Sequence, residues 1–433
     1  MQHDSHKLFG IIGHPVFHSK SPNIFRSIFR KYNIDASYMR IAVDWIDDGI
    51  RLCKDLELDG LNITAPFKNT VISHLDELSK EVNAINSVNT IVNLKGKLKG
   101  YNTDYSGASL PFEHRLDSLK FKRVIVLGAG GAGLSAAFGL SSLGASVIVL
   151  NRTMKDFGAT ALKINASYDS LANLEKHIRE ADIIVSTLPY EAEPVDISSM
   201  KKGSMFLDAS YKKTHYKDIC ERFGITFISG EEWLAYQAIY ACKQFVGIIP
   251  DYETVYSEAV KPRREKNIIS LVGFMGAGKS SVGRELASMK RMDFVDIDEV
   301  IESKMSRSIN EIFTAMGEEK FREIESDILK SFKGAKNLVM SCGGGIPVRE
   351  ENREFLINET EPIWIYCDMD STAKRVLNGK RPIINSMRDT KEIHELFNKR
   401  KKYYASTCES VVLSKDSPKA TAEFINEEIR LSF

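Results

Sequence analysis

RVIVLGAGGAGLSAAFGLSSL, residues 123–143, decides the fold of the first part of the chain. A short β-branched apolar run is followed by glycines and then by a helix-compatible segment. Gly128, Gly130 and Gly133 fit G-x-G-x-x-G, and Gly131 lies in the same turn. Such spacing allows a tight turn, close approach to a pyrophosphate and tight contact of helix with sheet, and the positive end of the helix faces the phosphates. The uncharged stretch 124–140 contains patterned glycines, so it reads as this turn and not as a transmembrane helix. The next strand, SVIVL (146–150), ends in Asn151-Arg152-Thr153. An NAD-preferring site usually places a carboxylate there for the ribose 2′-hydroxyl. A guanidinium can instead pair with a 2′-phosphate, which favours NADP(H). The plain alternative for Arg152 is a solvated surface arginine.

Outward from this unit, the pattern repeats at NIISLVG (267–273) and FMGAGKSS (274–281). Gly273-x-x-x-x-Gly278-Lys279-Ser280 is a full P-loop, with Gly276 and Ser281 beside the same nucleotide. Its backbone amides cradle phosphates, Lys279 reaches the β- and γ-phosphates, and Ser280 ligates Mg²⁺. The expected ligand is therefore ATP with Mg²⁺. Two such units predict two α/β bodies. SEAVKPRREK (257–266) is polar and contains Pro262, which suits an exposed linker, so the boundary falls near 260. Before residue 120, strand-like and helix-like segments alternate, among them 8–13, 22–32, 36–43 and 59–66. They predict a further α/β lobe in the first body. The expected fold class is α/β throughout: a two-lobed body with a Rossmann lobe, then a P-loop domain whose parallel sheet is flanked by helices.

The whole chain has 433 residues, 43% hydrophobic and 27% charged, ordinary for a globular protein with large cores. Its 59 Lys plus Arg nearly balance 58 Asp plus Glu, for a net charge of +1. That balance argues against a nucleic-acid or membrane-surface partner, although small anions in local pockets remain compatible with it. Four basic residues at 399–402 form a short charge run, a weak case for either partner. The 6 cysteines form no C-x-x-C pair and read as reduced core residues of a cytoplasmic protein. No signal peptide is read at the start. His14 and His18 are four apart, but Pro15 between them argues against a helical metal pair.

Several polar segments accompany the first glycine turn: GHPVFHSKSP (13–22), GLNITAPFK (60–68), SVNT (87–90), YNTDYSG (101–107), DASY (208–211) and 230–237. Together with GAGGAG and NRT they resemble the shikimate dehydrogenase family over residues 7–258. Position 14 is His where many relatives have Asn. The resemblance implies NADPH-dependent reduction of 3-dehydroshikimate to shikimate. It implies that Ser19, Ser21, Thr64, Asn89, Asp104 and Gln237 hold the hydroxyl and carboxylate groups, and that Lys68 and Asp104 form the catalytic pair. Tyr211 would lie near nicotinamide or substrate, and Gly230 would contact the cofactor with Asn151, Arg152 and Thr153. An ammonium at Lys68 can protonate and stabilise the alkoxide formed at C3. Taken singly, Lys68 and Asp104 could be an ordinary surface ion pair.

DFVDID (293–298), GEEKFREIE (317–325), CGGGIP (342–347), GKRP (379–382) and NKRKKYY (398–404) follow the P-loop. They resemble the shikimate kinase family over residues 267–430, which implies γ-phosphoryl transfer from ATP to the 3-hydroxyl of shikimate. By that resemblance Asp296 holds Mg²⁺ with Ser280, and Asp298 orients or deprotonates the attacking hydroxyl. Arg322 and Arg400 clamp the carboxylate, and Gly343, Gly344 and Gly345 line the ring. Arg381 closes over the phosphates, and Arg375 lies against adenine. Glu325, three residues after Arg322, can share its helix face and fix its fork. The expected division is a substrate lobe at 1–118 completed by 230–258, a Rossmann lobe at 119–229, a linker at 259–266 and a kinase domain at 267–433. The small-molecule partners are then 3-dehydroshikimate, shikimate and ATP. The competing readings are a quinate-linked dehydrogenase fused to the kinase, and one domain acting as a metabolite-binding regulatory module without chemistry.

Overall fold

The computed structural model describes residues 6–153, 158–211, 214–263, 266–377 and 389–432. By density of contact the chain forms two compact units. One contains residues 1–22, 34–58 and 263–433; the other contains 23–33 and 59–262.

In the second unit, a six-stranded sheet runs in the spatial order Thr226–Ile228, Met205–Asp208, Ile183–Ser186, Arg123–Leu127, Ser146–Asn151, Ser167–Ser170. Every neighbouring pair is parallel. The chain starts at the centre, winds out one way, then crosses over and winds out the other. This is the doubly wound order, and it opens a crevice beyond the C-terminal end of Arg123–Leu127, where the GAGGAG turn sits. Alternation along that strand serves both faces: Val124 and Val126 pack with Ala136, Ala137 and Leu140 of helix Gly131–Ser142. Ile125 and Leu127 pack on the opposite face with Ile184 and Phe206. A smaller set of strands in the same unit comprises Gly60–Ile63, Thr90–Leu94, Lys97–Tyr101 and Glu77–Leu78.

In the first unit, the P-loop strand Ile268–Val272 is central and wholly buried, which is why it reads as a continuous apolar run. The spatial order is Asp293–Asp296, Leu338–Ser341, Ile268–Val272, Glu361–Tyr366, Ser410–Leu413, all parallel. The sheet does not end there. Ser410–Leu413 pairs in parallel with Ala36–Ala42, with Ser410 opposite Arg40 and Val411 opposite Ile41, and Ala36–Ala42 pairs with Lys7–Gly13. Strands read from the sequence as part of the first body thus extend the sheet of the P-loop body. Nothing local in a strand names its neighbour.

Where the chain passes from one unit to the next, Ala259 is buried at the end of helix Tyr252–Val260, while Val260, Lys261 and Pro262 are exposed. Arg263 is drawn inward and pairs with Glu361. Burial, then repulsion from Arg40, pull its pKa down. All six cysteines are free. Among the described residues, no helix is long and apolar enough to cross a membrane.

Candidate functional sites

The P-loop body contains a cavity of about 310 Å³ lined by Ser280, Asp296, Asp298, Arg322, Glu325, Gly343, Gly344, Gly345 and Arg400. These come from separated stretches of sequence that meet at the C-terminal ends of parallel strands. Gly278 takes a left-handed conformation (φ 85°) and starts helix Lys279–Lys290 without any side-chain cap. Its first turn has no acidic residue, so the free amides and dipole suit an anion. Lys279 is buried, with Nζ donating to the Phe274 carbonyl at 3.0 Å. Gly273 and Gly276 lie in the same turn, Ser281 is exposed, and the Ser280 hydroxyl is 3.3 Å from that of Ser341. Asp296 caps helix Ile297–Met305, accepting from the Asp298 amide at 3.0 Å. A hydroxyl and a fixed carboxylate at one cavity are hard oxygen donors, which fit Mg²⁺.

Arg322 is held as the sequence spacing suggests. Its Nη1 donates to Glu325 at 2.7 Å and its Nη2 to Glu318 at 3.2 Å. Burial pulls its pKa down, but attraction and hydrogen bonds from both carboxylates outweigh that and raise it, so the guanidinium stays charged. Burial pushes Glu325 up, against the pull of Arg322. A side chain at Gly345 would overlap the Arg322 guanidinium. The Tyr404 hydroxyl donates to the Gly344 carbonyl at 2.7 Å, and a Cβ on Gly343 would come 2.6 Å from Glu325. Arg400 is 7% exposed, and its Nη1 has no hydrogen-bond partner among the described residues. A buried cationic donor without an acceptor, beside a second fixed arginine, has the chemistry to accept an anionic group. Phe313 and Phe321, 4.4 Å apart between ring centroids, wall this end; no motif points to Phe313, which precedes the break at Gly317 (φ 78°). Glu318 is legible as an i,i+4 partner of Arg322. Burial pushes the Cys342 thiol well up, which favours its protonated form. Arg381 lies outside the described residues, as does the side chain of Arg375 on helix Met369–Leu377.

In the other unit, Lys68 Nζ donates to Asp104 Oδ2 at 2.7 Å. The Asp104 side chain is 3% exposed, whereas that of Lys68 is 21% exposed, so the ammonium keeps an open side. Asp104 begins helix Asp104–Glu113, where the dipole favours its charge. The turn before it is fixed by Asn89, whose Oδ1 accepts from the Thr103 amide at 2.7 Å and from the Thr90 hydroxyl at 2.9 Å. Thr64 is half-buried, and its carbonyl accepts from the Phe67 amide at 3.0 Å. The Lys68 stem faces the glycine turn: a Cβ on Gly131 would lie 3.9 Å from Lys68 Cδ and 2.6 Å from the Ser87 hydroxyl. Ser87, which the sequence marks only as the first residue of SVNT, has a buried hydroxyl with no partner among the described residues.

At the first glycine turn, a Cβ on Gly133 would overlap the Gly128 carbonyl, so only glycine permits this helix–strand approach. Gly130 has open space around it, and no acidic residue occupies the first helical turn. Asn151 Oδ1 accepts from the Ala129 amide at 3.3 Å, and its Nδ2 donates to the Thr153 carbonyl at 2.8 Å. This clasp presents Arg152 and Thr153, both exposed, at the edge of the crevice. The donor set fits a dinucleotide carrying an extra phosphate. Gly230 opens helix Gly230–Val246, where a Cβ would come 2.6 Å from Ser210. Gln237, half-buried, lies on that helix, and Tyr211 lines a hollow with Ser210 and Glu231. In the first unit, Ser19 and Ser21 are buried and joined by a 3.1 Å hydroxyl contact.

Family models match three successive parts of the chain: "Shikimate dehydrogenase substrate binding domain" at 11–91, "Shikimate / quinate 5-dehydrogenase" at 112–211 and "Shikimate kinase" at 275–430. A shikimate dehydrogenase (NADP(+)) of Pyrococcus abyssi is 37% identical over 253 residues, covering 57% of this chain and 95% of that relative. The shikimate dehydrogenase structure from Aquifex aeolicus superposes with a TM-score of 0.56 at 28% identity, covering 60% of this chain and 100% of that one. The Thermus thermophilus enzyme, solved with NADP(H) and shikimate, gives 0.52 at 29% identity, covering 58% and 98% respectively. With the crevice and cavity described above, these likenesses show that the chain belongs to the shikimate dehydrogenase family and carries a shikimate kinase domain joined to it on the C-terminal side.

Proposed function

We propose that the chain catalyses two consecutive reactions: reduction of 3-dehydroshikimate to shikimate with NADPH, and phosphorylation of the 3-hydroxyl of shikimate with ATP. The carrying observation is the pair of separate anion-binding turns, each beside a charged side chain suited to one of these reactions. When bound, NADPH supplies the hydride, and Mg-ATP supplies the phosphoryl group. The chain's own groups do the rest. Lys68 donates a proton to the C3 oxygen and stabilises its developing charge, while Asp104 orients Lys68. Ser19, Ser21, Thr64, Asn89 and Gln237 hold the ring substituents, with Tyr211 near the nicotinamide. Asn151, Arg152, Thr153 and Gly230 border the cofactor. In the second reaction Asp298 orients the attacking hydroxyl, Arg322 and Arg400 hold the carboxylate, and Gly343–Gly345 admit the ring. Ser280 and Asp296 would hold Mg²⁺, Lys279 and Arg381 would neutralise phosphate charge, and Arg375 would flank adenine.

The catalytic division we propose is 1–118 with 230–258 for substrate, 119–229 for NADP(H), 259–266 as connection and 267–433 for the kinase. Reduction is the forward direction because ATP-driven phosphorylation removes its product. The test is a coupled assay on intact protein with 3-dehydroshikimate, NADPH and Mg-ATP. NADPH loss should be matched by shikimate 3-phosphate. If the protein binds shikimate but yields neither NADP⁺ nor ADP, the reading fails.

Two substitutions probe parts of it. Arg152→Ala should lower kcat/KM with NADPH by about 10- to 100-fold while changing NADH little, since a charge-assisted contact is worth roughly 1.5–3 kcal/mol. An equal loss with both coenzymes would refute the 2′-phosphate role. Gly345→Ala must displace Arg322 and should raise the kinase KM for shikimate by about tenfold or more, with KM for ATP little changed. Unchanged shikimate saturation would count against the carboxylate clamp.

A further inference from the structure

The segment 14–21, which carries Ser19 and Ser21, is held by carboxylates from the far end of the chain. Glu428, on helix Pro418–Ser432, has a side chain that is 0% exposed. One of its oxygens accepts from the Val16 amide at 2.8 Å and the Phe17 amide at 3.2 Å. The other meets His14 Nδ1 at 2.7 Å. The His14 ring stacks on Phe424, one turn earlier on the same helix, at 5.3 Å between centroids. At the other end of the segment, the Ser19 carbonyl accepts from Arg40 Nε at 2.8 Å. Arg40 is 0% exposed, and its Nη1 donates to Glu409 at 3.0 Å, just before strand Ser410–Leu413.

Buried backbone amides need acceptors, so this loop keeps its shape only while those carboxylates are present. A buried carboxylate is itself costly unless it is well hydrogen-bonded. Neither Glu428 nor Glu409 lines the P-loop cavity, so phosphoryl transfer gives no reason for their burial there. The geometry points to Glu428 and the Arg40–Glu409 pair as positioning residues for the two serines. The kinase segment thereby supplies the scaffold of the dehydrogenase's substrate loop. This inference rests on the reading of Ser19 and Ser21 as substrate donors.

The test is steady-state kinetics of both reactions in the full chain. Glu428→Ala strips the acceptor from two amides and should raise KM for shikimate in NADP⁺-linked oxidation by about tenfold, with kcat within about twofold. The kinase KM for shikimate should not move. Glu428→Gln keeps a carbonyl for both amides and offers an N–H to His14, so it should stay near wild type. If the alanine variant does not fold, Glu409→Gln loosens the Arg40 grip on Ser19 and should raise the same KM by about threefold. An unchanged dehydrogenase KM in a folded alanine variant, or in Glu409→Gln where that stands in for it, overturns the inference, as does a parallel fall in both activities. Ser19→Ala separates the two ideas. If it too leaves KM unchanged, the substrate role of Ser19 is wrong and the inference falls with it. If it raises KM and Glu428→Ala does not, only the positioning role falls.

Discussion

Lys279→Ala should cut ATP-dependent phosphorylation of shikimate by about 10²–10³-fold, and more if nucleotide binding also fails, while NADPH-dependent reduction stays within about twofold of wild type. The buried ammonium stands at the first position of a helix whose opening turn carries no acidic residue. It is the fixed positive charge closest in sequence to the uncapped amides of the glycine turn, and alanine leaves the amides but removes that charge. ADP release with shikimate as acceptor is the measurement, alongside NADPH consumption with 3-dehydroshikimate on the same preparation. Loss of both activities in a folded protein would contradict independent chemistry at the two centres.

The reciprocal experiment is Lys68→Ala. Reduction should fall by about 10²–10⁴-fold, the range expected for removing a general acid, while kinase turnover persists. NADPH affinity should stay within a few-fold, because Lys68 lies beside the glycine turn without forming it. Asp104 would lose its ion-pair partner but keep the favourable end of its helix. That side chain is 3% exposed, so some loss of stability is expected too, and NADPH binding guards against mistaking unfolding for lost chemistry. A variant that binds NADPH normally and retains more than a tenth of wild-type turnover would remove Lys68 from the proton-donor role.

The two glycine turns are legible from sequence because local rules govern them. Strand, turn and helix are contiguous, and Gly133 and Gly278 are each demanded by sterics or backbone angle. The Arg322–Glu325 pairing is legible for the same reason, as i,i+3 neighbours on one helix. The convergence of Asp298, Arg322, Gly345 and Arg400 on one cavity depends on sheet order, and only resemblance to known motifs anticipates it. Phe313 carries no such signal. Least legible are contacts that join distant stretches: Arg40 reads as a charge in the middle of a strand and Glu428 as one acid among several on an amphipathic helix. The burial of Arg40 goes with a parallel strand pairing and that of Glu428 with its seat against the Val16 and Phe17 amides, and no local pattern encodes either. His14 takes part in the same long-range join through its contact with Glu428.

Strand Ala36–Ala42 has a neighbour on each side, and one of them, Ser410–Leu413, lies hundreds of residues downstream. Cleaving the gene near codon 262 to make two smaller proteins would strip that neighbour away. The N-terminal product would display a raw β-edge with unpaired amides, the kind of surface that recruits other copies into aggregates. For expression or engineering, a separated N-terminal half would present that edge unless charge, a bulge or another strand covered it.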